Sequence, residues 1–212
     1  MRLNGPLSIL RAALLVLLAG HHRCVSGSYT PPEALENNGT MFAVCKVRPS
    51  SSLPSGLLKV TGQVLFRQDE HEALEVLLRF NGLPKEGAQD ARAVHIHQYG
   101  DLSHGCDSTG GHYNPEVVYH PNHPGDFGNF VPQQGKINAV IKSQASLFGD
   151  QSVIGRAVVI HEKIDDMGRG GDTGSLLHGN AGRRLGCCII GISSSTLWNM
   201  HHKQYTRRLR KN

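Results

Sequence analysis

Lys59-Val60-Thr61-Gly62-Gln63-Val64-Leu65-Phe66 and Leu74-Glu75-Val76-Leu77-Leu78-Arg79-Phe80 flank a charged turn. Two short runs rich in branched and aromatic side chains, separated in this way, predict a β-hairpin. Residues 93–99, 136–142, 153–161 and 187–192 continue the pattern, and no useful helical period lies between them. The 25 glycines, 10 prolines and 6% aromatic content fit many turns between short strands. The fold class expected is therefore all-β, an antiparallel sandwich or barrel interrupted by two long loops at residues 100–129 and 162–184. Loops longer than about 15 residues in a compact domain usually carry function. With 212 residues, 39% of them hydrophobic, the chain accommodates one ordinary domain plus extensions.

The ends read differently. Arg2 and Arg11, the apolar run at residues 12–20 and the small residues Val25-Ser26-Gly27 predict a secretory signal peptide over residues 1–27. The run falls short of the roughly 20 apolar residues of a membrane span, so no transmembrane segment is expected. Residues 28–56 read as a polar, Pro-rich N-terminal extension, a possible oligomerisation segment, with a glycan acceptor at Asn38-Gly39-Thr40. The barrel is assigned to residues 57–194 and a basic tail to residues 195–212. Of the formal charge of +5, three cations sit in the leader and five (Lys203, Arg207, Arg208, Arg210 and Lys211) in the tail, so the body carries −3. Such a tail suits heparan sulfate or another extracellular polyanion, through contacts that weaken with salt, rather than nucleic acid. Once Cys24 leaves with the leader, Cys45, Cys106, Cys187 and Cys188 remain, an even number in an oxidising compartment. Adjacent Cys187 and Cys188 point to opposite faces of a strand and reach different partners, leaving two pairings open.

The chemistry concentrates in histidines. In Val94-His95-Ile96-His97 alternate side chains share a face, so two imidazoles can grip one ion. His112, His120, His123 and Asp126 place four donors within fifteen residues, with Pro115, Pro121 and Pro124 restricting the backbone around them. Imidazole and carboxylate donors with no open position describe a structural zinc site. His161 ends a β run beside the second long loop, where a further ligand would sit. Gly168-Arg169-Gly170-Gly171 reads as turn chemistry, since no phosphate-loop spacing accompanies it.

His95-Ile96-His97-Gln98-Tyr99-Gly100-Asp101, Gly111-His112-Tyr113-Asn114-Pro115, His123-Pro124-Gly125-Asp126-Phe127-Gly128-Asn129, His161-Glu162-Lys163 and Gly179-Asn180-Ala181-Gly182-Arg183-Arg184-Leu185 resemble the copper/zinc superoxide dismutases. The leader, extension and basic tail are similar to the extracellular branch of that family. The resemblance implies an eight-stranded antiparallel Greek-key β-barrel with a zinc loop and an electrostatic loop. It implies copper on His95, His97, His112 and His161, and zinc on His112, His120, His123 and Asp126. Two four-coordinate ions need eight bonds, and seven side chains supply them only if His112 bridges. By the same resemblance Asp165 links a copper histidine to a zinc histidine, and Arg184 attracts superoxide near copper. Cys106–Cys187 and Cys45–Cys188 would be the disulfides. The activity implied is conversion of superoxide to dioxygen and hydrogen peroxide by alternating Cu(II) and Cu(I), in a homodimer or tetramer. The alternative is a secreted metal-binding or matrix-binding barrel without that activity. Three features depart from the family: Gly111 stands where Pro commonly precedes the bridging histidine, His178 replaces an uncharged polar residue, and the tail lacks a subunit-linking cysteine.

Overall fold

The structure, a computed structural model, describes residues 30–85 and 91–209. The leader at residues 1–27 and the tail cations Arg210 and Lys211 lie outside the described residues, as does the side chain of Arg208. The hairpin read from the sequence is β2 (Thr61–Asp69) and β3 (Leu74–Asn81), paired antiparallel with Leu65 opposite Leu77. A strand that the sequence reading did not assign, β1 (Thr40–Pro49), precedes it. β4 (Arg92–His97), β5 (Ser103–Cys106), β6 (Asp126–Phe130), β7 (Lys136–Ser143), β8 (Ala157–His161), β9 (Arg184–Ile189) and β10 (Gly191–Ile192) follow.

Eight strands hydrogen-bond in the order β6-β4-β8-β9-β1-β2-β3-β7, all antiparallel, with β10 added to β1. β6 and β7 approach each other across the remaining seam, giving a nearly closed barrel with Greek-key crossovers. β1 closes the sheet because its first eight residues pair with β2 while Arg48 and Pro49 pair with β9. Alternation puts Met41, Ala43, Cys45 and Val47 of β1, Val64 and Phe66 of β2, and Leu74, Val76, Leu78 and Phe80 of β3 in one core. The segment read as an extension thus contributes a strand, Thr40–Pro49, that pairs on both sides within the sheet. Lys46 and Arg48 on the outward face, with Pro49 at the end, made the segment look like a polar extension, although its inward positions are consistently apolar.

The tail, to which the sequence reading assigned no secondary structure, is helical. Residues Ser195–Leu209 form a helix, α3, after the two short helices α1 (Pro32–Glu36) and α2 (Thr173–His178). α3 lies against the outside of the barrel, where Trp198 is buried with Phe42, Leu65 and Leu77. Those three point away from the main core, so without α3 a water-facing sheet surface would carry large apolar side chains. Among the described residues, no helix is long and apolar enough to cross a membrane.

Candidate metal centre

β4 brings the first donors into place. Val94 and Ile96 point into the core, so His95 and His97 point outward beneath the two long loops, and all four are fully buried. His161 ends β8 and stands opposite Arg184, which begins β9. Asp126 begins β6 opposite His95, and His112 bridges to His97. The loop between them supplies His120 and His123. Two groups result, His95, His97, His112 and His161, and His112, His120, His123 and Asp126, the ligand atoms within each group lying no more than 4.8 Å apart.

Five of the six rings, all but His112, are oriented by their other nitrogen. His95 Nε2 and His120 Nε2 donate to the two oxygens of Asp165, both at 2.8 Å. His97 Nδ1 donates to the Gly110 carbonyl at 2.9 Å, His161 Nδ1 to that of Gly182 at 3.4 Å, and His123 Nε2 to that of Val118 at 3.1 Å. Such bonds fix the tautomer and leave the opposite nitrogen as a lone pair. Those opposite nitrogens converge: His97 Nε2 and His161 Nε2 are 3.2 Å apart, and His95 Nδ1 and His112 Nε2 are buried beside them without a hydrogen-bond partner. In the second group His112 Nδ1 lies 2.9 Å from Asp126 Oδ1, while His120 Nδ1 and His123 Nδ1 each lie 2.9 Å from Asp126 Oδ2. Although those last two contacts are ion-pair distances, neither nitrogen has hydrogen-bond geometry. A buried polar atom left unpaired costs about 1–3 kcal/mol, so lone pairs gathered in this way suit bound cations. The residues present fit two metal ions sharing His112. The group His95, His120 and Asp165 is accounted for by hydrogen bonds alone.

Electrostatics agree with that fit. Burial, reinforced by neighbouring histidines and Arg184, holds His97 and His161 well below the usual imidazole range. Burial outweighs the Asp126 hydrogen bond at His112 and brings it to about 4. All three are neutral at neutral pH, the form that ligates. At His120 burial is outweighed by the carboxylates of Asp126 and Asp165 on either side of the ring, which raise it to about 9. Burial also opposes the charge on Asp126 and Asp165, yet hydrogen bonds from the histidines hold both carboxyls well below the carboxylate range. The second group therefore carries fixed negative charge that a proton on His120 offsets until a metal takes its place.

A cavity of about 420 Å³ opens onto the first group, with Arg184 in its wall. Arg184 Nη1 donates to the Cys106 carbonyl and to Thr109 Oγ1, both at 2.9 Å. Cys106 is bonded to Cys187 on β9, so one disulfide ties the arginine's acceptor to the arginine's own strand. The other disulfide joins Cys45 to Cys188. Arg183 instead forms a surface pair with Glu162.

Sequence reading missed the backbone acceptors Gly110, Val118 and Gly182, for which no side-chain signal exists. It also missed Asn129, which donates to the Asp165 carbonyl and accepts from the Asp165 N–H, both at 2.8 Å. The Asn129 side chain lies within a quoted motif, yet its partner is 36 residues away. Asp166, which the sequence did not separate from Asp165, accepts instead from Ser175 Oγ and Asn180 Nδ2 and so braces the second loop. Asn38 is exposed in the turn before β1, and Lys203 and Arg207 are exposed on α3.

A nearly closed antiparallel barrel with two donor clusters joined through one imidazole defines a dinuclear metalloprotein fold. Residues 60–190 match the family model described as copper/zinc superoxide dismutase, and the chain belongs to that family. It is 46% identical over 178 residues to the extracellular superoxide dismutase [Cu-Zn] of Homo sapiens, covering 83% of this chain and 74% of that protein. It is 47% identical over 173 residues to the extracellular enzyme of Rattus norvegicus, covering 81% of this chain and 71% of that one. Superoxide dismutase [Cu-Zn] 5 of Dictyostelium discoideum is 36% identical over 161 residues, 72% of this chain and 99% of that protein.

Proposed function

We propose that the protein acts outside the cell and converts superoxide to dioxygen and hydrogen peroxide. In this reading copper is held by His95, His97, His112 and His161, and zinc by His112, His120, His123 and Asp126. The observation that carries the reading is the His112 ring, whose Nε2 faces one cluster while its Nδ1 faces the other. Copper bound there supplies one-electron transfer between Cu(II) and Cu(I), and zinc supplies fixed positive charge on the far side of the shared ring. Arg184, fixed by the Cys106 carbonyl and Thr109, attracts and orients the anion in the cavity. His112 Nε2 is the atom suited to hold a proton, since it is without a hydrogen-bond partner and its ring is in the cavity wall. Each pair of superoxide ions consumes two protons, one of which that nitrogen can deliver. Asp165 keeps both clusters in register by orienting His95 and His120 together.

The surroundings fit a secreted enzyme. Two disulfides join the four cysteines of the described chain, as an oxidising compartment favours. The exposed Lys203 and Arg207 on α3, continued by Arg208, Arg210 and Lys211, would bind heparan sulfate or a similar polyanion. Exposed Asn38 would accept a glycan. Homo-oligomers are supported by the exposed apolar side chains Tyr99, Ile189 and Ile192. Loading the protein with copper and zinc and assaying dismutation beside His112→Ala tests the activity. An inactive, fully loaded wild type would refute it and favour a matrix-binding barrel. Elution from heparin at the same salt with and without residues 203–211 would refute polyanion binding by the tail.

A further inference from the structure

His120 and His123 are held in different ways. The Nε2–H of His120 meets the buried carboxylate of Asp165, whereas that of His123 rests on a backbone carbonyl, that of Val118, at 3.1 Å. Val118 is half-buried in the irregular loop between His112 and His120, with no strand or helix to fix it. Asn114 supplies the support. Its side chain accepts from the Val118 N–H at 3.0 Å and donates to the Val118 carbonyl at 2.8 Å, so one amide grips both backbone groups. The two partners decide which end of the amide is which, since a carbonyl only accepts and an N–H only donates. Both lone pairs of the Val118 carbonyl are then engaged, one by Asn114 and one by His123. Pro115 favours extended backbone at Asn114 and fixes its own φ, which starts the turn that the clamp closes. Among the described residues, Asn114 and His123 are the side chains that hydrogen-bond to the backbone of residues 115–118. The clamp also holds against strain. Val117, directly before the gripped residue, has φ 53°, in the left-handed region that a β-branched side chain avoids. Val117 is 87% exposed, so packing does not keep it there. Backbone in such a region persists where its surroundings impose it, and beside Val117 the clamp does so.

We propose that Asn114 is a positioning residue for zinc, keeping His123 in its ligating tautomer through the Val118 carbonyl. Without the clamp Val117 relaxes toward ordinary backbone, and the carbonyl leaves His123. The ring proton then moves from Nε2 to Nδ1, where Asp126 Oδ2, 2.9 Å away, accepts it. The nitrogen and the oxygen that should meet the metal satisfy each other instead, and zinc must compete with that bond. The effect is confined to the second cluster. His95, His97 and His161 are oriented by Asp165, Gly110 and Gly182, whereas the hydrogen bonds of the Asn114 side chain go to Val118. The inference rests on zinc occupying the second cluster.

The test uses the full chain carrying copper, as wild type, Asn114→Ala, Asn114→Asp, and Asn114→Ala combined with Val117→Asn. Zinc affinity is read by competition with a chromogenic chelator, and Co(II) placed in the second cluster reports ligand geometry through its visible absorption. Asn114→Ala should weaken zinc about tenfold, the low end for a lost orienting partner, and alter the Co(II) bands, with Cu(II) affinity changing by less than about threefold. Asn114→Asp should lose as much, because a carboxylate accepts from the Val118 N–H but sets a second acceptor against its carbonyl. Asparagine tolerates the left-handed region, so adding Val117→Asn should restore zinc binding to within about threefold of wild type. A general loosening of the loop would weaken both metals alike and gain nothing from the second substitution, and either result would overturn the proposal. Wild-type zinc affinity in Asn114→Ala would overturn it too. A wild type that binds Cu(II) but takes up no zinc would overturn the metal assignment as well.

Discussion

Replacing Asp165 by Asn separates the two clusters in a way that the hydrogen bonds specify. The carboxylate oxygen facing His120 also accepts from Met167 N at 2.7 Å, so two donors meet it, whereas the oxygen facing His95 meets His95 Nε2 alone. An amide has one oxygen and one NH₂, and two donors decide which end the oxygen occupies. It stays with His120 and Met167, and the NH₂ group is turned against His95 Nε2–H. The clash is relieved when His95 moves its proton to Nδ1, the nitrogen otherwise offered to the first cluster. Losing an orienting partner of a metal-ligating histidine typically weakens metal binding 10- to 100-fold, about 1.4–2.8 kcal/mol. Copper affinity should therefore fall by about that factor, with zinc affinity changing by less than about threefold. Competition against chelators, run separately for Cu(II) and Zn(II), measures both. Equal losses, or a greater loss of zinc, would refute the orientation assigned to Asp165.

Three further outcomes are expected. Trp198→Ala should cost α3 about 3 kcal/mol of docking, at the low end for a buried Trp, and speed tryptic cleavage at Lys203 and Arg207 about 100-fold. Dismutation should survive, because Phe42, Leu65 and Leu77 share no cluster with the metal-binding residues; unchanged cleavage would refute the docking. Replacing Cys106 and Cys187 by Ser opens a link spanning 81 residues, a loss of up to about 4.5 kcal/mol or roughly 10–15 °C in Tm. Dismutation should fall with both metals retained, since Arg184 loses a fixed acceptor; metal loss preceding the fall in activity would argue against it. The metal-free protein should be most stable near pH 6.5, as thermal unfolding across pH 4–9 will show. His97, His112 and His161 titrate lower in the fold than in the unfolded chain, so their contribution is present above 6.5 and lost as pH falls toward 4. His120 titrates higher, at about 9, so its contribution is present below 6.5 and lost as pH rises through 9. A stability that rises steadily to pH 9 would contradict this balance.

The barrel and the donors were legible for a local reason. Alternation along a strand decides which side chains share a face, and the hairpin and His95-Ile96-His97 display it within a few residues. β1 was missed because Lys46, Arg48 and the nearby prolines dominated its composition, although Met41, Ala43, Cys45 and Val47 keep the same alternation. α3 was missed because its reason lies elsewhere in the chain. Phe42, Leu65 and Leu77 occupy outward positions, and outward apolar residues on neighbouring strands were the available sign that something covers them.

By itself the sequence determined the chemical inventory: seven donors at spacings that two strands and a constrained loop can bring together, four cysteines, a cation at Arg184 and a charged tail. Tertiary structure alone decided which nitrogen of each imidazole is free. That choice depends on acceptors fixed through space, the carbonyls of Gly110, Val118 and Gly182 and the two oxygens of Asp165. It also decided that His178 and Arg184 border one cavity and that Cys106 reaches Cys187. A side chain's identity is local, but its proton, its partner and its field belong to the packed fold.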